Sequence, residues 1–142
     1  MFKREVGRGG LFFMPSMGVR EEVFHKEQGI DRSMMSDDKD KEAFHCIIYD
    51  FGIPIGSGRL YEDETGFHIG RVAILKEYRG KGLGKDLMEG LLKKAWEVGA
   101  SKVSIHAQEH VIEFYEGLGF SKKGDVFIEA NISHIEMEVV KK

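Results

Sequence analysis

"RVAILKEYRGKGLGKDLM" runs from Arg71 to Met88. The branched apolar run Val72–Leu75 has the composition of a strand. It gives way to a basic corner with glycines at 80, 82 and 84. Beyond the corner the pattern changes to helical. Leu83, Leu87, Met88, Leu91, Leu92, Ala95 and Val98 recur along one side, while Lys85, Asp86, Glu89, Lys93 and Glu97 take the other. Gly99 ends the helix. The stretch therefore reads as strand, pliable cationic turn, amphipathic helix.

Three phosphate-loop patterns can be compared with this corner. A Walker A loop needs Gly-Lys followed by Ser or Thr, and a glycine five residues before the second one. Here Asp86 follows Gly84-Lys85, and Arg79 stands five residues before Gly84. A dinucleotide fingerprint needs G-x-G-x-x-G in the first βαβ unit, whereas this corner is G-x-G-x-G and follows other strands. The pattern that fits is R-x-x-G-x-G, at Arg79, Gly82 and Gly84. Glycines let the backbone approach an anion closely and take positive φ. The first N–H groups of the helix lack internal partners and sit at the positive end of its dipole. With Arg79, Lys81 and Lys85 adding charge, a pyrophosphate is the expected guest.

Working outward, residues 43–49 and 53–61 read as a hairpin turning at Asp50-Phe51-Gly52, and residues 67–75 as a third strand. "KVSIHA" is a strand, "VIEFYEGLGF" a short helix closed by glycine, and the tail holds two more strands. In the last of these, Ile135, Met137 and Val139 alternate with His134, Glu136 and Glu138, so one face is solvated. Upstream, a helix is expected to open at Pro15–Ser16 and stop at Gly29, followed by a charged surface loop. "MFKREV" is compatible with a short edge strand and "GRGG" with a turn. The order of elements gives one α+β domain, residues 1–142, with a mixed central sheet.

Composition narrows the function classes. A formal net charge of −3 is no footprint for nucleic acid or an anionic membrane, so any anion site must be local. The basic start followed by Leu11–Met14 has too short an apolar run for a signal peptide, and no stretch is apolar enough to span a bilayer. The single cysteine, Cys46, lies in the apolar run "FHCIIY" and reads as a buried, inert thiol. These features lead to a cytoplasmic expectation.

"RVAILKEYRGKGLGKDLMEGLLKKA" resembles motif A of the GNAT superfamily of acetyl-CoA-dependent N-acyltransferases, and "SIHAQEHVIEFYEGLGF" resembles that family's next block. "VREEVFHKEQG" and "FIEANISHIEM" are similar to its ElaA/YjcF-type branch. The resemblance spans roughly residues 16–140. It implies a mixed sheet of six to seven strands with helices on both faces, and acetyl-CoA as acyl donor with no metal. The amides of Gly80, Lys81, Gly82, Leu83, Gly84 and Lys85 would hold the pyrophosphate, supported by Arg79. The backbone of Val72, Ala73 and Ile74 would pair with the pantetheine arm, with an N–H there stabilising the oxyanion. Gln108 is a further candidate contact.

A departing thiolate titrates near ~8.5 and a phenol near ~10, so a tyrosine beside the sulfur needs modest retuning to act as general acid. Tyr115 occupies the matching position; by itself it would read as a core aromatic. Base candidates are Glu27, Glu109, Glu129 and His134, with Glu129 and His134 preferred from the tail. The acceptor is an amine, small or on a protein, and the acidic balance tilts slightly toward a cationic one. Edge strands near both termini leave a homodimer open.

Two readings from other classes remain. "HAQEH", His106–His110, spells the inverted zinc-protease motif H-x-x-E-H, which works only on a helix; here it leaves a strand. A non-catalytic acyl-CoA sensor would use the same glycine corner and lack turnover.

Overall fold

The computed structural model describes all residues, Met1–Lys142. Seven strands form one mixed sheet: β1 (Phe2–Gly7), β2 (Phe44–Asp50), β3 (Ile53–Asp63), β4 (Gly66–Ile74), β5 (Lys102–Gln108), β6 (Ser121–Glu129) and β7 (Ile132–Val140). Their spatial order is β1-β2-β3-β4-β5-β7-β6. Only β4 and β5 run parallel, because the chain between them crosses over through a helix.

That helix, α2 (Leu83–Glu97), buries Leu83, Leu87, Met88, Leu91 and Ala95 against the sheet. They join Cys46, Ile48, Leu60, Ile69, Val103, Ile105, Ile135 and Met137 in the larger core. Gly90 lets the outer strands come close: a Cβ there would lie 2.8 Å from the Arg4 side chain and 3.2 Å from Cys46 Sγ. Arg4 uses that room to reach Asp86, at 2.8 Å from its carboxylate and 3.0 Å from its carbonyl. Cys46 is fully buried and desolvation pushes its thiol up to about 12, so it is inert as a nucleophile.

Helix α1 (Gly10–Arg20) covers the opposite face of β2, β3 and β4. It continues into a widened, π-type turn over Glu21–Glu27. The helix begins five residues before the expected start, with Pro15 inside it. Gly9, at φ 88°, turns the chain out of β1 and so starts the helix early. The Ser16 hydroxyl donates to the Phe12 carbonyl within the turn that Pro15 interrupts. Val19, Val23, Phe24, Met35 and Ala73 form a smaller second core beneath this helix. Its reach ends at β4, so the same face of β5, β7 and β6 has no helical cover and carries polar side chains. The short helix α3 (Ile112–Glu116) packs beside β5.

Two tight turns fix the registers around the site. Ala130 and Asn131 both have positive φ, 51° and 63°, and join β6 to β7 as a two-residue hairpin with Glu129 opposite Ile132. In β4 a bulge places Arg71 and Val72 opposite the single residue Gly58, and Arg71 takes φ 54°.

Candidate functional site

The β4 bulge has a consequence one strand away. Strands β4 and β5 pair only over Phe67–Ile69 and Val103–Ile105, and beyond that point they part. Val72–Ile74 remain paired to β3 on one edge, with Ala73 opposite Ser57 and Ile74 opposite Gly56. The Leu75 N–H donates to Ile55 of β3 at 2.8 Å. Backbone groups alternate between edges along a strand, so the N–H groups of Val72 and Ile74 face the parting. A sheet interior rarely leaves donors unpaired, and these two line a slot that an extended chain can enter as an extra strand.

The glycine corner stands at the end of that slot. Gly80 and Gly82 both have φ 80°, and Gly82 caps α2 in the left-handed conformation. No backbone carbonyl accepts from any of the six consecutive amides Gly80–Lys85; the first helical bond is Asp86 N–H to Gly82. A Cβ on Gly80 or Gly82 would meet nothing within 4 Å, so the loop surface is open. Gly84 is different, since a Cβ there would press on the Phe114 ring at 3.3 Å. The Leu83 side chain is buried, so only its amide faces the corner. Lys81 and Lys85 are exposed there. This donor set fits a diphosphate, with backbone N–H groups and two cations converging at a helix start.

Arg79 is differently employed. Its guanidinium grips both oxygens of Glu27 at 2.6 and 2.7 Å, and its Nε donates to the Ile74 carbonyl at 2.9 Å. The Arg79 hydrogen bond holds Glu27 below the usual carboxylate range, so the Glu27 carboxylate stays ionised in that pair. The next residue, Gln28, exchanges two amide hydrogen bonds with Gln108 at 3.1 and 3.0 Å. Glu27 and Gln28 thus clasp the two banks of the slot, one at the end of β4 and the other at the end of β5.

Tyr115 lies in the main core, edge-on to Phe114 and Phe120 at 5.0 and 5.8 Å between ring centres. Burial pushes its phenol up, which keeps it protonated and is opposite in sign to the retuning a strong proton donor needs.

On the helix-free face, the structure brings Glu129 and His134 together and adds His106. His106 Nδ1 lies 3.0 Å from Glu129 Oε1, and His134 Nε2 lies 4.0 Å from Glu129 Oε2. Phe127 stacks on the His134 ring at 5.9 Å and meets His106 edge-on at 5.0 Å. The hydrogen bond from His106 lowers the Glu129 pKa, and the same contact raises that of His106, so each partner favours the charged form of the other. His134 is 7% exposed, and its Nδ1 meets the Ile132 carbonyl at 2.7 Å. A carbonyl can only accept, so Nδ1 is the donor of this contact and Nε2 is the ring nitrogen turned to Glu129. Glu109 and His110, on the single turn Glu109–Val111, line a hollow of about 330 Å³ with Ile132 and Ser133. His106 and His110 therefore sit on different elements, a strand and that turn.

A family model, the acetyltransferase (GNAT) domain, matches residues 13–141. The chain belongs to the GNAT family. The protein is 34% identical over 120 residues to the uncharacterized N-acetyltransferase YjcF of Bacillus subtilis, covering 84% of this chain and 86% of that one. Its fold is similar to that of an acyl-CoA N-acyltransferase from Pseudomonas aeruginosa, with a TM-score of 0.88 and 27% identity, covering 99% of this chain and all of that one. Escherichia coli ElaA has a similar fold at 22% identity, with a TM-score of 0.87 over 98% of this chain and 99% of that one. Membership supports acyl transfer from an acyl-CoA in general.

Arg71 was not among the residues the sequence singled out, and His106 was named only within the zinc-protease spelling, not as a partner of Glu129. His106 has one local signal, its alternation with Ile105 and Ala107 on β5, which turns it toward the polar face. Arg71 has none beyond being a charge in an apolar strand.

Proposed function

We propose that this GNAT protein moves an acetyl group from acetyl-CoA to a primary amine, with both substrates bound at once. The observation that carries this reading is the parting of β4 from β5 directly before six unpartnered amides. The slot takes a pantetheine arm as a strand, and the amides of Gly80–Lys85 donate to the pyrophosphate, with Lys81 and Lys85 balancing its charge. Arg79 holds the loop to β4 through the Ile74 carbonyl and to the turn after α1 through Glu27. Val72 or Ile74 N–H donates to the thioester oxygen as negative charge develops on it.

The amine nitrogen attacks the carbonyl carbon and loses a proton to His134 Nε2, whose lone pair the Ile132 contact leaves available. Glu129, held ionised by His106, stabilises the imidazolium that results. The carbon–sulfur bond then breaks. The phenol of Tyr115 hydrogen-bonds the departing sulfur and supplies the proton that makes free CoA. Because burial raises this phenol, its first contribution is the hydrogen bond, with proton transfer following as thiolate charge accumulates beside it.

The test is calorimetric titration with acetyl-CoA and CoA, followed by a panel of amines monitored for free thiol. Binding with thiol release on at least one amine supports the reading. Binding with no release on any amine would establish the sensor instead, and no binding at all would refute the slot.

A further inference from the structure

The roles assigned so far leave Arg71 unexplained. Its φ of 54° is one that a long side chain rarely adopts, and such strain is held by surrounding structure at working sites. The bulge turns its side chain to the α1 face, against the loop that follows that helix. There its hydrogen bonds are all long: Nε to the Met35 carbonyl at 3.3 Å, Nη2 to the Met34 carbonyl at 3.4 Å, and Nη2 to Asp37 at 3.4 Å.

The neighbouring charges do not balance it. Arg59 grips both oxygens of Asp37 at 2.6 and 3.0 Å. Arg20 grips both oxygens of Asp40 at 3.0 and 2.8 Å, and Arg59 also reaches Asp40 at 3.1 Å. Three guanidiniums therefore share two carboxylates, and the two short bidentate pairs leave Arg71 only the long contact to Asp37 at 3.4 Å. Burial pushes His45, beside Asp40, toward its neutral form, so it adds no charge. The surplus positive charge resides on Arg71, whose side chain is 26% exposed and so has restricted access to water. A half-buried planar cation with loose partners is suited to a carboxylate, which it can take bidentately.

Arg71 stands on the β4 bank of the slot, on the face that carries the Glu129–His106 pair, and its charge acts on the Glu129 carboxyl. One side of the site thus presents a cation in need of an anion, and the other presents the group that receives a proton from an amine. We propose that the acceptor is an amino acid or a compound of that type, its carboxylate held by Arg71 while its amine faces His134. This rests on the acyl-transfer reading. The local charge overrides the slight tilt toward cationic acceptors that the net charge of −3 gives.

The experiment uses matched acceptors, each an amino acid beside its primary amide. The expected result is a kcat/KM at least tenfold higher for the carboxylate member. Arg71→Gln lowers that value to the level of the amide, mainly through KM, and Arg71→Lys recovers part of it. Equal use of both members, or a preference that survives Arg71→Gln, overturns the proposal. A second measurement requires no turnover: protein saturated with CoA is titrated with an N-acetyl amino acid and with its amide. Tighter binding of the acid by the unaltered chain, lost in a folded Arg71→Gln variant, supports the assignment; equal binding refutes it. Failure of acetyl-CoA to bind, or of any amine to release thiol, strikes the acyl-transfer reading instead.

Discussion

Replacing Gly82 with alanine tests the helix mouth in a way the structure makes quantitative. Gly82 sits at φ 80° and ψ 8°, in the left-handed region, as the residue that caps α2. A Cβ built there meets no atom within 4 Å, so no clash contributes and the whole penalty is backbone strain. That strain is about 1–2 kcal/mol for an L-residue. It can surface in two places. If the loop keeps its shape in the free protein, the strain lowers stability, and the melting temperature falls by about 2–4 °C per kcal/mol in a chain near this size. If the free loop relaxes, the strain reappears on binding, and 1–2 kcal/mol weakens CoA by roughly 5–30-fold. The two losses together recover the full penalty. Thermal melting and calorimetric titration of CoA, run on the same preparation, measure both. Gly82→Asn should lose less, since asparagine tolerates this conformation. A Gly82→Ala protein that melts within 1 °C of the parent and binds CoA within twofold would refute the claim that this left-handed residue aims the amides at the ligand.

Tyr115→Phe should lower the acyl-transfer rate by about 10²–10⁴-fold while CoA affinity stays within about twofold; an unchanged rate removes the phenol from the mechanism. His134→Gln should likewise reduce turnover by about 10²-fold or more without affecting CoA binding, and a rate near that of the parent would return the base to Glu129 or solvent. Asp40→Asn should destabilise the fold by about 3–5 kcal/mol, because it leaves the Arg20 guanidinium, 1% exposed, without its bidentate partner. Acidification should reveal the same network. His45 is held low by burial, so its contribution is present above about pH 6.5 and falls as the pH drops below that value. Burial pushes Asp40 up, but the hydrogen bonds and charge of Arg20, helped by Arg59, outweigh it and hold the carboxyl well below the usual range. Its contribution is therefore present above about pH 4 and is lost as the pH falls further. Melting temperatures recorded from pH 7 to pH 3 should fall in two stages, and a single step near pH 4 would exclude His45.

The parts of the fold that were legible in the sequence are those whose pattern is local. Helix α2 announces itself because Leu83, Leu87, Leu91 and Ala95 repeat at the helical period over four turns. The hairpin β2–β3 shows because Phe51-Gly52 interrupts two apolar runs. β1 is harder to read, since Lys3, Arg4 and Glu5 leave no alternation, and its strand identity comes from pairing with Tyr49, Ile48 and Ile47 of β2. The early start of α1 escaped because Pro15 resembles a first-turn proline, while the real boundary is set by the turn at Gly9.

The site divides in the same way. The glycine corner is contiguous in sequence and could be read from chemistry alone. The parting of β4 and β5 cannot, because it depends on a bulge at Arg71 that local preference disfavours and tertiary contacts with Met34, Met35 and Asp37 hold in place. The meeting of His106 with Glu129 depends on the register of the β6–β7 hairpin, set by Ala130 and Asn131. The loose coordination of Arg71 emerges only when five charges from four segments are counted together.

The clasp formed by Glu27 and Gln28 carries an evolutionary corollary. Neighbouring residues of one wound segment hold opposite shores of the opening, so their separation acts as a gauge for its width. Dropping a single residue from Glu21–Glu27 would convert the widened turn to an ordinary one, rotate the pair by about 100° and draw it back about 1.5 Å. Both anchors would be released at once. The composition of that segment is free to drift among descendants of this chain, whereas its length is not.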